Sequence, residues 1–217
     1  MIRPLFFWLL ASSLLLSGCQ TLSANKSKTL YGAPQKTYAL DLNNNVFRGK
    51  PTIVEECDAY NISTTIWDEE NRFFRIDLLA AEGNPSLNTP PFISDAALLQ
   101  LALDSYTKTR TVSSPVVKAV APAYKKTYTG SVPLTMMAIH HIRVDSQAAK
   151  NFPPVSGDYY YGFMLFRHGQ YIYVLQHRQP FYSEAKMERV LKAMLDAVSV
   201  PANKRTTGLV SGRSCKL

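Results

Sequence analysis

Four histidines are the first residues to weigh for chemistry. A zinc site needs three or four converging ligands. His140 and His141 are adjacent in a stretch that reads as a strand, so they point to opposite faces and cannot enter one compact site. His168 falls at an expected hairpin tip and His177 within a strand, and no HxxxH or CxxC spacing occurs. The expectation is surface or structural histidines, no metal and no cofactor. A serine nucleophile fares no better. There is no G-x-S-x-G elbow, and Ser211-Gly212-Arg213-Ser214 lies in a tail rather than on a strand-to-helix turn. Glu55, Glu56 and Asp58 share one strand, but neighbouring acids alternate faces, and Glu55 with Cys57 has no histidine nearby in sequence. One ligand surface remains a candidate. Tyr159, Tyr160, Tyr161, Tyr171, Tyr173 and Tyr182 cluster in and after one hairpin, and tyrosines stack on sugars and mark interfaces. Tyr159, Tyr161, Tyr171 and Tyr173 are the named candidates, although strand tyrosines more often pack within the sheet itself.

The elements that position these groups can be read from periodicity. Residues 36–42 alternate as a short strand, and Asn43-Asn44-Asn45 is a turn signal. Residues 52–67 and 72–80, separated by Asp68-Glu69-Glu70-Asn71, read as a long antiparallel hairpin. Ser94 caps a helix over 95–108, with Leu99, Ala102, Leu103 and Tyr106 at helical spacing. Residues 112–129 and 132–145 read as two more strands. Residues 159–167 and 170–179 flank His168-Gly169, a two-residue hairpin signal. Both faces of these strands are apolar, as in strands covered on both sides. Ser183 caps a second helix whose stripe is Met187, Val190, Leu191, Met194, Leu195 and Val198, and Pro201 stops it. The fold class is therefore α+β, a mainly antiparallel sheet with two main helices.

This order resembles the Mog1/PsbP-like fold, a group that includes small bacterial envelope lipoproteins of the DcrB type. The carriers are the two helices and the 159–179 hairpin, and the likeness covers roughly residues 36–201. A cystatin-like α+β sandwich has a similar order. The resemblance implies binding or assembly rather than chemistry, and it transfers no functional residue, since fold does not dictate function.

The N-terminus says more. Arg3 precedes an apolar run over residues 5–16, too short for a bilayer core, which needs about 20 residues. A basic start, a short apolar run and small residues before a cut point read as an export signal. The run closes on Leu16-Ser17-Gly18-Cys19, which resembles a bacterial lipoprotein signal. The resemblance implies removal of residues 1–18, acylation of Cys19 (palmitate and related chains) and membrane attachment. Gln20 in place of Asp implies sorting to the outer membrane, with the body facing the periplasm. Residues 19–35, polar and small, form the expected tether. Residues 36–217 form the expected single domain with an irregular basic tail.

With Cys19 lipidated in an oxidising compartment, Cys57 and Cys215 are expected to pair, which also argues against either as a nucleophile. A net charge of +8 favours anionic neighbours, though nucleic acid is not an expected partner on the envelope. The first expectation is a non-enzymatic, periplasm-facing lipoprotein that binds or assembles with an envelope protein. A receptor for a glycan or lipid-like ligand and a hydrolase of envelope polymers are the rivals.

Overall fold

The computed structural model describes residues 30–32, 37–57, 60–85, 87, 93–108, 117–121, 123–128, 134–144, 157–180 and 182–200. Eleven strands and two helices occur among them. In chain order they are β1 (Leu30–Gly32), β2 (Ala39–Asp41), β3 (Thr52–Cys57), β4 (Asn61–Trp67), β5 (Phe73–Ala80), α1 (Asp95–Thr107), β6 (Val117–Ala119), β7 (Tyr124–Tyr128), β8 (Thr135–Val144), β9 (Gly157–His168), β10 (Tyr171–Pro180), α2 (Glu184–Ala197) and β11 (Val198–Ser199). All described pairings are antiparallel. The large sheet runs β3-β4-β5-β10-β9-β8-β6, with β7 also on β8, and a small sheet runs β1-β2-β11. The α+β expectation holds.

The apolar runs on both faces of β9 and β10 explain their central place. Phe163, Leu165, Ile172 and Val174 face α1, where they bury Leu98, Leu99, Ala102 and Leu103. Met164, Phe166, Tyr173 and Leu175 face the other way, onto Met187, Leu191 and Met194 of α2 and Tyr38 and Leu40 of the small sheet. Both helices start as their sequences dictate. Ser94 Oγ accepts from the Ala97 amide at 3.3 Å, and Ser183 Oγ accepts from the Lys186 amide at 3.2 Å, each satisfying an amide that the first turn leaves unpaired.

Several boundaries differ from the sequence reading. The expected arm 52–67 is two strands, with the chain reversing between Cys57 and Asn61. The expected strand 112–129 is likewise two, β6 and β7, which pair end to end with β8. Pro122 lies between them in sequence, and a residue without an amide hydrogen interrupts a ladder. β1 falls inside the stretch expected to be tether, because Leu30–Gly32 pairs with β2. The hairpin turn moves by one residue. His168 pairs with Tyr171, leaving Gly169 and Gln170 in the loop, and Gly169 takes the positive φ of 59° that the first central position of a type II′ turn requires.

Candidate functional site

The candidate tyrosine surface at the hairpin does not form, and the four side chains pack within the sheet as strand tyrosines more often do. Tyr159, Tyr161, Tyr171 and Tyr173 are all buried. Residues on one strand alternate faces, so Tyr159 and Tyr161 pack in the core under α1, while Tyr171 and Tyr173 pack in the core under α2. Their hydroxyls serve the fold: Tyr161 donates to Gln176 Oε1 at 3.0 Å, and Tyr173 donates to the Thr37 carbonyl at 2.9 Å.

The histidines are dispersed. His140 lies on the α1 side, 3.3 Å from Thr107 Oγ1 and edge-on to Phe163. Burial, helped by Lys125, pushes its pKa down to about 4. His141 lies on the opposite face, stacked on Tyr160 and 3.5 Å from Asp158, which Arg143 also holds at 2.7 Å. His168 ends β9 at the hairpin. His177 is buried on the α2 side against Phe74. Among the described residues, no group of three or more His, Cys, Asp or Glu side chains is placed to hold a metal. Glu55 accepts from the Tyr31 hydroxyl of β1, which turns it away from Glu56. Cys57 is disulfide-bonded. Cys19, Cys215 and the proposed Cys57–Cys215 pairing lie outside the described residues, as do Asp58 and the 211–214 segment.

The structure gathers a different set of residues. α1 packs on β8 and β9. Its Tyr106 reaches further, donating to Asp77 Oδ2 of β5 at 3.0 Å. Asp77 is 1% exposed. It also accepts from Arg75 Nε at 2.8 Å and from the Gln176 amide. Arg75 donates a further bond to Ser63 Oγ at 2.8 Å and lies 3.9 Å from Glu56. A buried carboxylate is tolerated when it is paired and hydrogen-bonded in this way. The row ties β3, β4, β5, β10 and α1 together and marks where the cover from α1 ends.

Beyond that row the α1 side of the sheet is partly open. Period-two alternation and the register place Val54, Thr65, Trp67, Phe73, Arg75 and Arg178 on this face. Val54 is 48% exposed and Trp67 37%. The indole meets Phe73 edge-on at 5.2 Å, and the Arg178 guanidinium sits 5.2 Å over the Phe73 ring. Glu56, with 69% of its side chain exposed, closes the β3 side. Exposed aromatic and aliphatic groups with a charged rim are the makings of a contact surface. Sequence reading passed over these residues because it followed tyrosines and histidines. A signal was present in Phe73-Phe74-Arg75-Ile76-Asp77-Leu78, where one face of β5 is apolar throughout and the other carries an arginine and an aspartate.

The chain matches no family model and no curated protein. It is similar to a solved structure from Bacteroides thetaiotaomicron VPI-5482, at 10% identity and a TM-score of 0.36, over 79% of this chain and 48% of that one. The chain thus spans about half the length of that structure.

Proposed function

We propose that the protein is a lipid-anchored envelope module that binds or assembles with another envelope protein through the open part of its large sheet. Leu16-Ser17-Gly18-Cys19 supports the anchor: residues 1–18 are removed, Cys19 carries the lipid, and the body faces the periplasm from the outer membrane. Cys57 pairs with Cys215 in that oxidising space. The two-sided antiparallel sheet is compatible with a Mog1/PsbP-like body.

The observation that carries the binding reading is the exposed pair Val54 and Trp67 beside Phe73, with Glu56 and Arg178 at its border. Such a surface suits a protein partner that sets an apolar side chain against the indole and polar groups against the rim. A sugar would instead need a concave seat with converging hydroxyl partners. A photo-activated cross-linker at position 54 in intact cells tests this, with position 184 on the exposed start of α2 as control. The expected result is a discrete protein adduct from 54, absent from 184 and abolished by Trp67→Ala. Adducts of glycan or lipid alone, or a protein adduct indifferent to Trp67→Ala, would overturn the reading.

A further inference from the structure

His177 is fully buried, and its ring is committed on one side only. Nδ1 lies 2.7 Å from the Phe73 carbonyl. A carbonyl accepts, so Nδ1 carries the hydrogen and Nε2 is left as the bare lone pair. Nε2 has no hydrogen-bond partner among the described residues. The ring stacks on Phe74 at 4.4 Å and meets Tyr182 at 5.6 Å. Tyr182 directly precedes Ser183, the cap of α2.

The charged groups around this ring do not welcome a second proton. Arg72 and Arg178 oppose it, and Asp68 is the carboxylate that favours it. Lys186 of α2 lies 4.1 Å over the far partner, the Tyr182 ring. On β9 the residue opposite His177 is Gly162, which brings no side chain. Asp68 cannot turn to help. It already accepts from the amides of Arg48, Glu70 and Arg72, and it holds the Arg72 guanidinium at 2.6 Å. An imidazolium at this site therefore gains a buried N–H with nowhere to donate, which is costly.

The covers of the ring differ in how easily they move. Phe74 belongs to β5, paired on both sides, so displacing it breaks two ladders. Tyr182 is half-buried, and residues 183–186 after it are exposed. We propose that His177 is a proton-operated latch: a proton taken on Nε2 under mildly acidic conditions releases Tyr182 and the first turn of α2 from the sheet, while the β9–β10 hairpin stays paired. Opening gives the new N–H to solvent at the least structural cost.

Segment-resolved amide hydrogen exchange at pH 7 and pH 5, corrected for the intrinsic pH dependence of exchange, tests this. A ring that titrates normally when open and near 4 when closed opens about 20-fold more readily at pH 5 than at pH 7. The expected result is an acceleration of that order in the first turn of α2, with residues 157–180 staying far more protected than that turn at both pH values. His177→Asn keeps a donor for the Phe73 carbonyl but cannot be charged, and it should remove the acceleration. His140→Asn should leave it in place. Equal acceleration in His177→Asn, or a first turn of α2 as well protected at pH 5 as residues 157–180, would overturn the latch. Should His177→Asn not fold, the ¹⁵N resonance of Nε2 in the unaltered protein decides: a midpoint well below 5.5 agrees, and one near 6.5 contradicts.

Discussion

Replacing Gly162 with alanine tests how α2 is seated. A Cβ at Gly162 falls 2.7 Å from Met187 Cγ, 2.8 Å from Met187 Sδ and 2.8 Å from Leu191 Cδ1. Both side chains are fully buried. The sulfur and the terminal methyl can swing, but Met187 Cγ moves only by a χ1 rotation, which the packed surroundings of this buried side chain oppose. Alanine recovers about 0.5–1 kcal/mol of the conformational penalty of a strand glycine. Overpacking costs about 1–3 kcal/mol. Taking the middle of each range, Gly162→Ala should destabilise the protein by about 1 kcal/mol. Leu191→Ala alone should cost about 2–5 kcal/mol, by lost burial and the cavity it leaves. In that background the cavity lets Met187 move aside, as a flexible thioether does, and Gly162→Ala should be close to neutral. Urea unfolding of the four proteins gives the coupling, expected at about 1 kcal/mol or more in favour of the double variant. A neutral Gly162→Ala, or one that costs the same with and without Leu191, would refute this seating.

Other perturbations have equally definite signs. Burial holds the folded pKa of His177 at about 4, against 6.5 for a free imidazole, so its contribution is full above about 6.5 and is lost as pH falls toward 4. Between pH 7 and 5 the loss is about 2 kcal/mol, measurable as a falling free energy of unfolding that His177→Asn flattens. His140, also held at about 4, adds a loss of the same sign that His140→Asn removes. Asp77→Ala leaves Arg75, Tyr106 and Gln176 without their common acceptor and should cost about 3–5 kcal/mol, read as a lowered Tm. Ser183→Ala removes the cap of α2 and should cost about 1 kcal/mol, read in urea.

The helices and the last hairpin were legible because their signals are local. Ser94 and Ser183 cap where a serine before a periodic apolar run should, and Gly169 turns the chain where a positive φ is needed. The break between β3 and β4 was not legible. Residues 58–61 are Asp-Ala-Tyr-Asn, a weak turn signal of two Asx side chains with no glycine or proline between two β-branched runs. The choice between packing and a ligand surface for the tyrosines was open for a different reason. Alternation places Tyr159 and Tyr173 on opposite faces, but whether either face is open depends on where α1 and α2 pack. That placement is a tertiary fact, set in part by the notch at Gly162. The open face at Val54 and Trp67 was hidden likewise, since it exists because α1 rests on β8 and β9 and leaves β3 and β4 partly uncovered.

The anchor and the bridge draw on the same three sulfurs, so one experiment addresses both. Cys57 is disulfide-bonded, and only Cys19 and Cys215 can be its partner within the chain. Mass spectrometry of a non-reduced digest of protein from its native host should find the Cys57 peptide joined to Cys215, and a mature chain that begins at an acylated Cys19. A bridge from Cys57 to Cys19, or an unmodified amino terminus retaining residues 1–18, would contradict a lipid-held envelope protein.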